Sequence, residues 1–209
     1  MVDVKYAWLA ALVAVVVAAV LLWPRRLVWT RAPSTGKHYR VKPLPDREAA
    51  ADRLADLEAR LRSFLDAADQ VAPGDPRLRN VRRRWNGTLA ETPTAKDVAY
   101  SIGKDSVYMC VRDPSGRLDD VNTSLFVLIH ELAHLATDDW GHPAVFWTNM
   151  KFLLELAERT GTYTYQDLDS GVVTYCGRVL GGSPLSCVKN GSCASELRGA
   201  AAAKRSAPW

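Results

Sequence analysis

Residues 124–137, SLFVLIHELAHLAT, read as a helix that is apolar on nearly every side. Leu125, Phe126, Val127, Leu128, Ile129, Leu132, Ala133, Leu135 and Ala136 leave no polar stripe wide enough to face water. A helix with that pattern is either enclosed by the rest of its domain or spans a membrane. At 14 residues, with two His and a Glu inside it, it is too short and too polar to cross a bilayer, which takes about 20 apolar residues. It is expected as the buried central helix of a folded domain. The polar run from Asp119 to Ser124 offers N-cap residues for it, and Asp138-Asp139-Trp140-Gly141 ends it.

The polar residues inside that helix are His130, Glu131 and His134, in the pattern HExxH. Positions i and i+4 share a helix face, so His130 and His134 can present their imidazoles to one ion. Glu131 sits one position further round, within reach of a water which that ion activates. His142 follows eight residues after His134, so three of the chain's four histidines fall within 13 residues. A structural zinc site closes its coordination with four protein ligands, usually including Cys; three His ligands leave a position open, as in catalytic sites. The reading is Zn2+ held by His130, His134 and His142, with Glu131 as the catalytic base. Glu155, on the helix expected over residues 143–159, is the alternative third ligand. Tyr163, Tyr165 and Tyr175 are candidates for stabilising an oxyanion. Asp138 or Asp139 either orients a ligand His or is the solvated end of the helix.

The remainder of the chain reads as support for this segment and as the means of placing it. Residues 6–23 carry no charge over 18 positions, enough to span a hydrocarbon core of about 30 Å. Trp8, Trp23 and Trp29 would form interface belts, and a cleaved signal peptide is the rival reading. Arg25, Arg26 and Arg31 outnumber Lys5, which places the domain on the cytosolic side of a single-pass anchor. Three sequons, at Asn86, Asn122 and Asn190, pull the other way. The domain plan is an anchor with a basic flank at 1–29, a Pro-containing tether at 30–45, a catalytic domain at 46–194 with its core at 97–160, and a loose tail at 195–209.

Within the domain, Leu54, Leu57, Leu61, Phe64, Leu65 and Ala68 mark a packing helix. The net charge of +4 is too small to name nucleic acid as a partner. The run Arg77, Arg79, Arg82, Arg83, Arg84 reads either as an anion-binding patch or as a short helix with solvated arginines and Leu78, Val81 and Trp85 turned inward. Residues 98–102 and 106–112, around Gly103-Lys104-Asp105, read as a β-hairpin. If residues 106–112 edge the sheet, they can align an extended peptide by backbone pairing. Cys110 in that strand reads as a buried free thiol, whereas Cys176, Cys187 and Cys193 would pair only in an oxidising compartment.

His130-Glu-Leu-Ala-His134, a short turn, and Gly141-His142-Pro-Ala-Val-Phe146-Trp147 resemble the WLM and SprT-like group of small zinc metallopeptidases. The likeness covers residues 97–159. It implies an α+β minimal zincin fold, with a small antiparallel-containing sheet packed on the active-site helix, here behind a transmembrane helix. It also implies zinc and catalytic roles for His130, Glu131, His134 and His142. The expected function is a membrane-anchored zinc metallopeptidase acting on proteins or peptides. The alternatives are a catalytically silent zinc-stabilised scaffold that uses the arginine run, and a DNA-associated protease by family analogy alone.

Overall fold

The apolar positions at three- and four-residue spacing after Asp46 become the buried stripe of a long helix, α1 (Arg47–Val71). The computed structural model describes residues 12–13, 27–94, 97–102 and 106–190. After α1 the chain turns through Pro73 and Gly74 into α2 (Pro76–Arg84), whose N-cap Asp75 accepts a hydrogen bond from the Arg77 amide. Two further helices, α3 (Val121–Ala136) and α4 (Ala144–Arg159), pack against each other. A five-stranded sheet lies against these helices, and a short helix, α5 (Ser186–Asn190), closes the described chain.

The sheet is built from β1 (Val28–Arg31), β2 (His38–Val41), β3 (Thr88–Glu91), β4 (Ala99–Ile102) and β5 (Ser106–Met109). Its spatial order is β1-β2-β3-β5-β4. The pairs β1/β2 and β4/β5 are antiparallel, whereas β2/β3 and β3/β5 are parallel. The architecture is therefore α+β with a mixed sheet. Alternation sorts the side chains: Tyr39, Val41, Leu89, Val107 and Met109 are buried. On the opposite face one cross-strand row runs Trp29, Arg40, Ala90, Tyr108, Tyr100. The small Ala90 leaves room for the Arg40 guanidinium to reach the Tyr108 ring, 5.1 Å away, and Tyr108 stacks on Tyr100 at 5.1 Å.

Two expectations about the N-terminal part need correction. The expected transmembrane helix, and the single-pass membrane localisation with a cytosolic domain, are overturned: no helix among the described residues is long and apolar enough to cross a membrane. The run at 6–23 itself lies outside the described residues apart from Leu12 and Val13. Length and hydropathy meet the requirement for a span without demanding one. The second correction concerns residues 30–45, expected as a tether. They contain most of the β1/β2 hairpin, with Gly36 in the left-handed region at φ 74° between the strands. The Pro and Gly residues there punctuate a turn. The hairpin is fastened to α1 by Glu58, which accepts from Lys37 Nζ (2.6 Å at Oε2), the Tyr39 hydroxyl (2.8 Å) and Arg62 Nε (2.9 Å).

A second buried carboxylate ties β2 and β3 to the chain after β5. Glu91 is fully buried and accepts from the Lys42 amide at 2.7 Å and from the Arg112 guanidinium, which also donates to Asp46 at 2.7 Å. Buried charge is tolerable when it is paired and hydrogen-bonded in this way.

The arginine run is absorbed by the fold. Leu78, Val81 and Trp85 are buried. Arg82 pairs with Asp66 (2.8 Å) and Asp69 (2.7 Å), and Arg77 with Asp75 (2.7 Å). Arg84 donates to the Leu135 and Thr137 carbonyls at 2.8 and 3.0 Å and to the Asp138 carboxylate. It thereby satisfies backbone acceptors that the end of α3 leaves open. Arg84→Ala is expected to cost about 1.5–3 kcal/mol in urea denaturation, whereas Arg83→Ala, which removes a bond to Asn80 at an exposed site, should cost less than about 0.5 kcal/mol.

The thiol reading of Cys110 is also corrected. Cys110 is joined to Cys176 in a disulfide, 66 residues apart in sequence. Cys176 lies in the turn of a two-stranded hairpin, β6 (Thr174–Tyr175) and β7 (Arg178–Val179). Adjacent Tyr175 is fully buried and donates its hydroxyl to the Cys110 carbonyl. Two cysteines so distant in sequence show no spacing motif, so only the fold could pair them. Replacing both with Ser should lower stability by about 2–4 kcal/mol, read as a shifted urea midpoint that added reductant no longer moves.

Candidate metal centre

The centre is assembled from the last two turns of α3 and the turn that follows. Asp120 caps α3 by accepting from the Thr123 amide at 2.7 Å, which sets the helix start and hence its register. That register puts His130 and His134 on one face, with ring centroids 5.1 Å apart. Gly141 then adopts φ 76°, a left-handed conformation that glycine enters without strain. The reversal brings His142 back over the helix, with its Nε2 3.1 Å from His130 Nε2. Phe146, fully buried on α4, lies beneath the group, with its ring 4.9 Å from His130, 4.5 Å from His134 and 4.6 Å from His142. Trp147 stacks on His142 at 5.6 Å.

One ring nitrogen from each of His130, His134 and His142 lies within 4.8 Å of the others. Tetrahedral zinc with nitrogen ligands at 2.0–2.1 Å separates them by about 3.3 Å. The donor set and its convergence therefore fit a zinc ion. Burial, together with the neighbouring His134 and His142, holds His130 well below the usual imidazole range; burial also lowers His142. Both effects favour the uncharged ring that binds metal. Glu155 is exposed on α4 and does not belong to this group. The cluster of Cys110, Asp119 and Cys176 is different in kind, because its two sulfurs are already bonded to each other.

Glu131 is buried, and desolvation pushes its carboxyl up to about 8, against the lowering effect of a hydrogen bond from Ser101. Ser101 belongs to β4, the terminal strand of the sheet. The condition set for residues 106–112 to align a peptide, a place at the sheet edge, is not met: β5 lies inside, between β3 and β4. Of the proposed oxyanion partners, Tyr175 donates to Cys110 and the Tyr163 hydroxyl accepts from the Gln166 amide at 3.3 Å. The Tyr165 hydroxyl is buried without a hydrogen bond. Asp138 is engaged by Arg84, and Asp139 is exposed.

His130 and Glu131 open onto a cleft of about 460 Å³, counting the space continuous with solvent. Phe126, Val127 and Met150 line it from the helices, Val98 and Ala99 from the approach to β4, and Leu180 to Gly182 from beyond β7. None of these wall residues, nor Ser101, was singled out as functional from sequence. A lone Ser in a strand and a Gly pair after a hairpin carry no local signal for a site.

No family model matches the chain, and no solved structure matches it. Among curated proteins it is similar to the uncharacterized protein R325 of Acanthamoeba polyphaga mimivirus, 26% identical over 162 residues, covering 73% of this chain and 81% of that protein. It is also similar to the uncharacterized protein 042R of Invertebrate iridescent virus 3, 41% identical over 66 residues, or 31% of this chain and 42% of the relative. The uncharacterized protein 136R of Invertebrate iridescent virus 6 is 33% identical over 81 residues, or 37% and 44% of the two chains. These names assign no chemistry, so the reading rests on the site. Metal analysis should find one zinc per chain. Ala at His130, His134 or His142 should reduce its affinity by a factor on the order of a hundred or more, and Glu155→Gln should leave it unchanged.

Proposed function

We propose that the protein is a zinc-dependent peptidase that hydrolyses a peptide bond with Glu131 as general base. The observation that carries this reading is the convergence of three imidazoles, one of which, His130, lines the same cleft as the buried carboxyl of Glu131. The resemblance of residues 97–159 to WLM and SprT-like metallopeptidases points the same way. Zinc held by His130, His134 and His142 would supply Lewis acidity, polarising a peptide carbonyl and making water acidic near neutral pH.

The chain's own residues supply the rest. Glu131 takes a proton from the attacking water and delivers it to the departing amine. Beside a bound divalent cation, Glu131 would have the desolvation that raises its carboxyl opposed, and would stay available as a base. Ser101 holds the carboxylate from the sheet side and so couples the base to β4. As the terminal strand, β4 offers an edge along which an extended peptide can pair, directly above the cleft. The enclosed position of Glu131 limits competing access of bulk water.

The scaffold alternative loses its main support, because Arg82 and Arg84 of the run are engaged in ion pairs within the fold. A base is also superfluous at a purely structural metal. The test is Glu131→Gln, which keeps the side chain's size and its contact with Ser101. Zinc content should be unchanged while peptide cleavage falls by about 10²–10⁴-fold. Cleavage that persisted in this variant would remove the assigned mechanism.

A further inference from the structure

The metal centre accounts for only one end of the cleft. Among the described residues, the walls beyond His130 and Glu131 carry no charged side chain: Phe126, Met150 and Leu180 are buried, and Gly181 and Gly182 form the outer side. A charged group placed there would lose its hydration and find no counter-ion. Trp147 contributes the other polar feature of the wall. Its Nε1 is buried and has no hydrogen-bond partner, so an occupant gains by bringing an acceptor.

We infer that this cleft is a specificity pocket, and that the chain acts on peptides with a bulky uncharged side chain, such as Leu, Met or Phe, next to the scissile bond. A peptide supplies both requirements together, because its backbone carbonyl can accept from Trp147 while the adjacent side chain fills the apolar end. This inference rests on the peptidase reading and adds the substrate class to it.

The outer wall sets the size limit. Gly182 has φ 80°, which excludes most other residues, but Gly181 has ordinary backbone geometry. A Cβ added at Gly181 meets no atom within 4 Å. A side chain can therefore be installed at the mouth without displacing the fold. The Gly pair leaves that mouth wide, and the disulfide at Cys176 anchors the hairpin from which it extends.

The experiment uses the zinc-loaded full chain and a series of amino-acid hydroxamates carrying isobutyl, benzyl, methyl, aminobutyl or carboxymethyl side chains. Binding is followed by calorimetry, and a peptide library is digested in parallel with its products read by mass spectrometry. The isobutyl and benzyl compounds should bind on the order of tenfold to a hundredfold more tightly than the aminobutyl and carboxymethyl ones. The cleavage products should carry Leu, Met or Phe at one position flanking the cut. Gly181→Leu should keep its zinc and shift the preference toward methyl. Trp147→Phe should weaken all compounds by roughly fivefold to tenfold without reordering them.

Equal affinities across the series, or a preference for a charged side chain, would overturn the pocket whether or not peptides are cut. Selective binding without any cleavage would leave the pocket standing and remove the peptidase reading. Failure to take up zinc would remove both.

Discussion

Desolvation of the groups at the end of α3 is the constraint on which the rest of the structure depends. A helix enclosed on nearly all sides carries two imidazoles and a carboxylate, and bare charge in that setting would cost several kcal/mol per group. Burial holds His130 well below the usual imidazole range, which favours its uncharged ring, and the ring nitrogens converge. The structure supports the carboxylate with a hydroxyl from a neighbouring strand. Phe146, packed against all three rings, removes rotational freedom that the ligands would otherwise lose on binding a metal.

The surrounding elements hold that arrangement in register. Asp120 sets the start of α3, and Arg84 of α2 satisfies carbonyls at its end. Glu91 and Arg112 bind the sheet to the turn that precedes α3, while Glu58 fastens the β1/β2 hairpin to α1. Glu58, Glu91 and Arg112 are buried and paired, and with Arg84 they join segments distant in sequence, whereas Asp120 acts locally. The helix that carries the candidate metal ligands is thus located by a few charged contacts as well as by apolar packing.

Much of the site could be read from the chain because its chemistry is local. The i and i+4 spacing of His130 and His134 has a geometric meaning on any helix, and Gly141 before His142 marks a sharp reversal. Apolar periodicity pointed to α1 and α4, and the nearly continuous apolar run at 124–137 pointed to α3. The arginine run was ambiguous in sequence because its partners Asp66, Asp69 and the Leu135 carbonyl lie in other elements. The hairpin at 28–41 was missed because four-residue strands leave too short an alternation to stand out among Pro and Gly. The transmembrane expectation rested on length and hydropathy alone, which are necessary for a span but do not suffice for one.

The sequence by itself determined which residues could ligate a metal and which carboxylate could serve as a base, because helical spacing and side-chain chemistry are properties of a short segment. Tertiary structure decided everything that depends on contact between distant segments. It placed β4 rather than β5 at the sheet edge, joined Cys110 to Cys176, and set Ser101 against Glu131. It also brought Leu180 to Gly182 across from Phe126 and Met150 to make the cleft. Such contacts form only when burial of the whole core repays the entropy of closing long loops, and no local pattern records that balance.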